Sequence, residues 1–157
     1  MSFPRPLRLA LPLLLAASTL STAALAQGQP TKAEQTLKYR KAVYQVMAWN
    51  FGPMAGMAQD KIPFNAAAFA MRAQRVAELA PMLAESYSPE TQGVAGSKLK
   101  PEAWQNRADF DAKLKDLVDR SATLAQVAAG GDAAKTKAAF FDTANACKAC
   151  HDKYKAD

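Results

Sequence analysis

Apolar residues recur at intervals of three and four along most of the chain beyond residue 30, which is the spacing of one face of an α-helix. The sequence shows no sustained alternation of apolar and polar residues, the pattern that would indicate strands. Four helices are predicted, beginning near Thr31, Asn65, Pro101 and Asp132. An all-α fold follows from this pattern.

The predicted helices have recognisable start and stop signals. Thr31 and Glu34 form a capping box, and Asn65 and Asp132 are N-cap residues. The pair Gly130-Gly131 ends the third helix, because glycine accommodates the backbone that terminates a helix. These signals place the helix boundaries independently of the apolar spacing.

Each predicted helix carries one apolar stripe, which indicates the face that is buried. Pro53 and Pro81 interrupt the first two helices and predict local distortion, whereas residues 86–100 predict a long loop. The other connections are short, so we expect an antiparallel four-helix bundle, whose facing helices are the usual place for a cofactor. The predicted buried residues, helix by helix, are Leu37, Tyr44, Met47, Phe51 and Met54; Phe69, Ala73, Val76, Ala80 and Leu83; Phe110, Leu114, Leu117, Ser121, Leu124 and Ala128; and Phe140, Ala144, Cys147, His151 and Tyr154.

Residues 1–26 have the features of a secretory signal peptide. Arg5 and Arg8 precede an apolar stretch over residues 9–20, and residues 24–26 form an A-x-A cleavage site. No later stretch is long and apolar enough to span a bilayer. We therefore expect residues 27–157 to form one exported, periplasmic domain without a membrane span.

The chain has 20 basic and 14 acidic residues, a formal net charge of +6. Arg5 and Arg8 account for part of this excess, and the remaining charges of both signs are interspersed. This distribution argues against nucleic-acid binding. It fits a solvated surface, or alternatively a basic rim that attracts an acidic redox partner, which the sequence does not name.

The most informative motif is Cys147-Lys148-Ala149-Cys150-His151, which contains both cysteines and the only histidine of the chain. The pattern C-x-x-C-H is the attachment signature of c-type haem. Residues three apart lie on one face of a helix, so both thiols can reach the same porphyrin edge and form two thioethers. The adjacent histidine can then bind the iron.

Other interpretations of this motif have less support. A structural disulfide is disfavoured because two cysteines so close on a helix close a small loop with poor geometry. A thioredoxin-like redox pair would need a βαβ pattern, and zinc would need third and fourth ligands that the chain lacks. A chance match in an exported protein is the alternative left open.

A four-helix bundle with C-x-x-C-H on its last helix resembles cytochrome c′, a class II c-type cytochrome. The resemblance covers essentially the whole mature chain, and the C-terminal position of the motif makes it specific. The segments that carry it are Tyr39-Arg40, Phe51-Gly52, Pro101–Trp104 and Ala146–Asp152.

The resemblance implies one covalent haem c per chain, with a high-spin, five-coordinate iron bound by His151. The family places a side chain of the first helix over the open side of the iron, four residues after an arginine, and this position holds Tyr44. A tyrosine is a poor iron ligand near neutral pH. In six-coordinate relatives a methionine at that position binds iron, so Met47, one turn further on, is an alternative ligand, although it is also a suitable core residue.

Further site residues follow from the same resemblance. Arg40 is expected to pair with a haem propionate, since it interrupts an apolar stripe and guanidinium matches carboxylate; an ordinary surface arginine is the alternative. Lys41 either contacts the same haem edge or is solvated. Lys155 stands where the family usually has arginine near the proximal pocket. Tyr87 either closes the distal pocket or serves in packing.

The functions implied are electron transfer, the binding of small gases such as NO and CO, or both. A peroxidase is a competing enzyme function, but it would need a distal acid or base, and the only histidine is already assigned. A purely structural, or a copper- or zinc-binding, helical bundle is a further alternative. We expect a non-enzymatic homodimer, with Val43, Val46 and Met57 as candidate interface residues or, equally, part of a wide core face.

Overall fold

The computed structural model describes residues 28–156, so the predicted signal peptide lies outside the described residues. Within that range the chain forms helices and no β-strand, which confirms the predicted all-α class. The helices are α1 (Lys32–Ala58), α2 (Ala66–Glu85), the single-turn α3 (Glu102–Gln105), α4 (Arg107–Ala129) and α5 (Ala133–Tyr154). None of the helices in the described range is sufficiently long and apolar to cross a bilayer.

The four long helices form a closed arrangement in which α1 and α4 each pack against both α2 and α5. The start of α1 meets the end of α2, where Tyr39 donates a hydrogen bond to Glu85. The start of α4 likewise meets the end of α5, where Tyr154 donates to Asp109. Neighbouring helices are therefore antiparallel, and the predicted four-helix bundle is confirmed. Because α2 and α4 are neighbours, residues 86–101 turn at one end of the bundle.

Three of the four predicted helix starts are confirmed by hydrogen bonds of their cap residues. The Thr31 hydroxyl accepts from the backbone N–H of Glu34 at 3.2 Å, and the Glu34 carboxylate accepts from the Thr31 backbone N–H at 2.7 Å. The side chains of Asn65 and Asp132 each accept from a backbone N–H three residues later. At the turn into α5, Gly131 has a φ of +75°, a conformation that favours glycine. Local sequence thus determines where these helices begin and end.

The end of the bundle opposite the C-terminal ends of α2 and α5 is filled with apolar side chains. We call the residues Met54, Phe69, Leu124 and Phe140 the packed half; each is at most 2% exposed. The Phe140 ring lies 4.6 Å from that of Phe51 and 6.0 Å from that of Phe69, between centroids. Every residue predicted for the buried faces of α2 and α4 is buried.

The buried face of α1 is wider than the stripe predicted from its sequence. Val43 and Met57 are 4% and 3% exposed and belong to the core, whereas Tyr44 and Phe51 are only half-buried. The reason is that α1 packs against two helices at once, so a second row of side chains turns inward. Pro53 lies inside α1, which continues past it to Ala58.

The third predicted helix is interrupted, which corrects the expectation of one helix from Pro101. Asn106, between α3 and α4, has φ −113° and ψ 50°, outside the helical region. Its side chain donates to the carbonyl of Glu102 at 3.2 Å, a local hydrogen bond that competes with the helical pattern. The next residue, Arg107, starts α4 and donates to the carbonyl of Tyr87 at 2.8 Å, which ties the loop to the helix.

Candidate cofactor site

A cavity of about 380 Å³ opens at the end of the bundle where α2 ends and α5 ends. Such a volume is in the range of pockets that hold a cofactor. Side chains of α1, α4, α5 and the loop after α2 form its wall. The lining residues are Leu37, Arg40, Lys41, Tyr44, Ala48, Tyr87, Gly96, Ser97, Lys98, Leu99, Phe110, Cys150, His151, Tyr154 and Lys155.

The C-x-x-C-H motif occupies the last two turns of α5 beside this cavity. Cys147 and Cys150 are half-buried free thiols that pack against the edge of the core, and Cys150 lines the cavity. Cys147 lies one turn earlier and is not among the lining residues. Burial raises the pKa of both thiols, so they are neutral near pH 7.

His151 lies at the mouth of the cavity and is exposed, which corrects its predicted place on the buried face of α5. The physical reason is that the cavity takes the place of the neighbours that would cover the last turn of the helix. Partial loss of solvent around the imidazole at the cavity wall, with the nearby charge of Lys155, lowers the pKa of His151. The neutral imidazole is the form that binds metals.

The wall facing His151 carries two tyrosines. The rings of Tyr44, on α1, and His151 are 6.4 Å apart between centroids, at an angle of 53°. The hydroxyl of Tyr44 lies 2.8 Å from that of Tyr87, the second residue after α2. Burial is the main cause that raises the pKa of both tyrosines, and their mutual contact raises that of Tyr44 further. Both hydroxyls are therefore neutral.

Arg40 is buried, only 4% exposed, so the alternative of an ordinary surface arginine is wrong. Its guanidinium donates to the hydroxyl and carbonyl of Ser86 and, at 2.8 Å, to the hydroxyl of Thr91. The group also stacks on the ring of Tyr87, with Cζ 4.0 Å from the centroid. Arg40 thus joins α1 to the turn after α2, a role that the sequence did not predict.

Three exposed lysines stand at the rim of the cavity: Lys41 on α1, Lys98 in the loop and Lys155 at the end of α5. No carboxylate is among the described residues that line this cavity. The loop and the chain end are joined here by two backbone hydrogen bonds of 2.8 Å, from Lys100 to Tyr154 and from Ala156 to Lys98. The rim is therefore positively charged and held in place by backbone pairing.

Met47, the alternative iron ligand, is 6% exposed and lies in the core of the bundle. It is not among the residues that line the cavity. Its contacts are those of a methionine that fills space between helices. Phe69 is likewise a fully buried core residue, as predicted.

The residues present fit a covalently bound porphyrin. The two thiols and the imidazole belong to one helix end, and no disulfide consumes the thiols. The cavity offers apolar surface from Leu37, Leu99 and Phe110, which suits a macrocycle, and cations at its rim, which suit carboxylates.

Comparison with known proteins identifies the family. The family model described as Cytochrome C′ matches residues 35–155. The chain belongs to the cytochrome c′ family. A cytochrome c′ of Allochromatium vinosum is 35% identical over 146 residues, which cover 90% of this chain and 92% of the relative. Cytochrome c′ of Shewanella frigidimarina has a TM-score of 0.77 at 36% identity, covering 82% of this chain and all of that one.

Two other solved structures of cytochromes c′ concern a bound ligand and a dimer. One is a nitric oxide complex of a mutant from Alcaligenes xylosoxidans, with a TM-score of 0.74 at 31% identity; it covers 82% of this chain and 99% of that one. The other shows ligand-controlled dimer dissociation, with a TM-score of 0.73 at 34% identity and coverage of 82% and 100%. Proteins of the cytochrome c′ family bind haem c covalently, and this chain has the two cysteines that such a bond needs.

The sequence left the roles of three cavity residues open or unassigned. Tyr87 lies in a stretch without periodicity, so no pattern showed that it would meet Tyr44. Phe110 and Tyr154 were predicted to be buried but not to line a cavity, and their rings pack edge to face at 5.2 Å. One signal could have indicated that Tyr87 lines the cavity. It is a tyrosine just after α2, a helix that ends at the same end of the bundle as the C-x-x-C-H motif.

Proposed function

We propose that the mature chain is a periplasmic c-type cytochrome in which Cys147 and Cys150 form the two thioethers to one haem. In this assignment His151 is the single protein ligand to a high-spin, five-coordinate iron, and Tyr44 covers the opposite side. Arg40 and Lys41 face the haem edge that bears the propionates. The haem supplies electron transfer and binding of diatomic gases at the iron.

The observation that carries this proposal is the arrangement of the cavity. Two free thiols and an imidazole from one helix end stand on one side, and Tyr44 faces the imidazole from α1 at 6.4 Å between centroids. A neutral tyrosine hydroxyl is a weak iron ligand, and burial keeps Tyr44 neutral. An iron held by His151 would therefore keep its second axial position free for a small ligand.

A six-coordinate iron with a methionine ligand has less support. Met47, Met54 and Met57 are all buried in the core and none lines the cavity. Bringing Met47 to the iron would require α1 to rotate and would expose core surface. A resting ferric protein with one protein ligand is the state that the packing of α1 favours.

A peroxidase function also has less support. Such catalysis requires a distal acid or base close to the reacting oxygen atoms. The wall facing His151 supplies two neutral tyrosines, and no carboxylate is among the described residues that line the cavity. The guanidinium of Arg40 is engaged by Ser86 and Thr91. We propose that the protein carries electrons or binds gas rather than turning over peroxide.

The proposed ligands are NO and CO. A mutant of a related cytochrome c′ has been solved with nitric oxide bound. In this chain the cavity facing His151 is enclosed mainly by aromatic and aliphatic side chains. An apolar wall favours neutral diatomics over anions, since it offers no solvation to a charge. Electron transfer is the companion role, with a redox partner whose identity is open.

The proposed assembly is a homodimer through α1 and α2. Of the three candidate interface residues only Val46, 50% exposed, lies on the surface, because Val43 and Met57 are buried in the core. Trp49 on α1 is 76% exposed and Met71 on α2 is 45% exposed. Analytical ultracentrifugation should give a dimer for the wild type and a monomer for Trp49→Glu; a monomeric wild type would contradict this assembly.

The experiment that tests the proposed function is an intact-mass and absorption measurement on protein from a host competent in cytochrome maturation. The mass should exceed that of residues 27–157 by one haem. The ferrous spectrum should be high-spin and should change on adding CO and on adding NO. Colourless protein with the mass of the bare polypeptide would refute haem attachment, and a low-spin six-coordinate resting spectrum would refute the open iron.

A further inference from the structure

We propose that Tyr87 controls the entry of diatomic ligands, because its hydroxyl latches Tyr44 over the free side of the iron. This inference rests on the proposed function, since Tyr44 stands in a ligand's path only if His151 holds the iron from the other side. It gives Tyr87, which the sequence left either to close the distal pocket or to serve in packing, a specific part in ligand entry.

The latch is a hydrogen bond between two elements that are distant in sequence. The hydroxyl oxygens of Tyr44 and Tyr87 are 2.8 Å apart, a normal distance for an O–H···O bond. Tyr44 comes from the middle of α1, and Tyr87 from the turn that follows α2. A ligand that approaches the iron opposite His151 meets the Tyr44 ring, so this ring must move aside.

Tyr87 is the fixed member of the pair. It is 6% exposed, and its backbone carbonyl accepts from Arg107 at 2.8 Å. Its ring is covered by the guanidinium of Arg40 at 4.0 Å and lies 5.0 Å from the ring of Phe110, between centroids, at 82°. Because its backbone and its ring are both engaged, Tyr87 stays in place, and displacement of Tyr44 breaks the hydrogen bond.

Loss of the hydrogen bond between Tyr44 and Tyr87 should change the rate of ligand association measurably. Tyr87 is buried and Tyr44 is half-buried, so water does not readily replace a lost partner of either hydroxyl. A typical net hydrogen bond changes an equilibrium constant by about threefold to tenfold. Opening of the latch before ligand binding should slow association by about the same factor.

The test uses Tyr87→Phe, Tyr44→Phe and the double variant, all as haem-loaded protein. We expect the association rate of CO with the ferrous protein to rise by about threefold to tenfold in Tyr87→Phe, although Tyr44 is intact. Tyr44→Phe should show a rise of the same size. The double variant should be no faster than the singles, because one bond is lost in all three.

Tyr39→Phe is the matched control. The Tyr39 hydroxyl also joins α1 to the end of α2, through a 2.7 Å hydrogen bond to Glu85, but Tyr39 does not line the cavity. Its removal tests whether any loosened contact between these helices accelerates ligand entry. We expect the CO association rate of Tyr39→Phe to equal that of the wild type.

Urea unfolding of the same variants gives a readout independent of ligand binding. Each single change at Tyr44 or Tyr87 leaves one buried hydroxyl without its partner, whereas the double change removes both. The double variant should therefore be destabilised by less than the sum of the two singles. Tyr39→Phe combined with Tyr87→Phe should be additive.

The possible outcomes separate this inference from the proposed function. If a variant carries haem but its CO rate equals that of the wild type, or falls, the latch is refuted and the proposed function stands. Rates that multiply in the double variant, or an equal acceleration in Tyr39→Phe, also refute the latch. Absence of covalent haem in the wild type would refute the proposed function itself.

Discussion

The two ends of this bundle are built from different kinds of contact. In the packed half, Met54, Phe69, Leu124 and Phe140 exclude water through apolar surfaces alone. At the cavity end, apolar side chains share the wall with thiol and imidazole groups and with hydroxyl and guanidinium groups that make directed hydrogen bonds. One end is therefore closed by apolar packing, and the other has space for a cofactor.

The comparison shows how a helical bundle accommodates a cavity without losing its helices. Where α5 has no apolar neighbour to cover His151, other contacts hold the surrounding wall. Arg40 binds the turn after α2, and backbone hydrogen bonds join Lys98 and Lys100 to the end of α5. Hydrogen bonds are directional, so they hold the cavity wall in place, whereas close packing would require side chains that fill the cavity.

The largest expected effect concerns the cavity end. Changing Cys147 and Cys150 together to alanine should abolish covalent haem completely, because no other thiol is present in the chain. Intact mass and haem staining of a denaturing gel measure this loss. Lys148→Gln, between the two cysteines, is the control and should keep its haem. Covalent pigment in the double variant would show that the motif is not the attachment site.

The next effect concerns the packed half. Leu124→Ala should lower the free energy of unfolding by about 2–5 kcal/mol, because a fully buried leucine is replaced by a cavity. Urea unfolding measures the loss. The CO association rate should stay at the wild-type value, since Leu124 is remote from the cavity wall. A rate change as large as that of Tyr87→Phe would mean that the two ends are not independent.

Replacement of Arg40 should give an intermediate effect. Arg40→Lys keeps a positive charge but loses the planar group that bonds both Ser86 and Thr91, so we expect the free energy of unfolding to fall by about 1–3 kcal/mol. The CO association rate should rise as well, because the ring of Tyr87 loses the guanidinium that stacks on it. Arg75→Lys, on the exposed face of α2, should change the free energy by less than about 0.5 kcal/mol. Unchanged stability and rate in Arg40→Lys would show that Arg40 does not hold the turn.

The smallest effect is a pH dependence at the junction of α4 and α5. Hydrogen bonds from Tyr154 and Lys153 lower the pKa of Asp109 below its ordinary value of 3.8. A lowered carboxylate pKa adds stability that is complete above the ordinary value and is lost as the pH falls through the folded value. Wild-type stability should therefore decline below about pH 4, and Asp109→Asn should lack this part of the decline.

Urea unfolding between about pH 3 and pH 6 measures this difference. Asp119→Asn is the control, since Asp119 makes a surface ion pair with Lys115 that should contribute little. If Asp109→Asn shows the same acid profile as the wild type, the contact between Asp109 and Tyr154 does not stabilise the end of α5.

Sequence patterns predicted most of the fold because they act over short distances. A cap such as Asn65 acts within one turn, and the stripes of α2 and α4 repeat every three or four residues, so local spacing is sufficient. The predicted buried face of α1 was less accurate, because two neighbouring helices determine which of its residues turn inward. The break at Asn106 was missed because Pro101-Glu102 already looked like a helix start.

The chain by itself determined the helices, their caps and the five-residue motif that carries the candidate attachment chemistry, all of which are encoded in neighbouring residues. Only the tertiary structure decided that His151 is exposed at a cavity mouth, that Arg40 holds a turn, and that Tyr87 reaches Tyr44 from 43 residues away. Contacts of this kind depend on how helices pack and where the chain turns, and no local spacing specifies them.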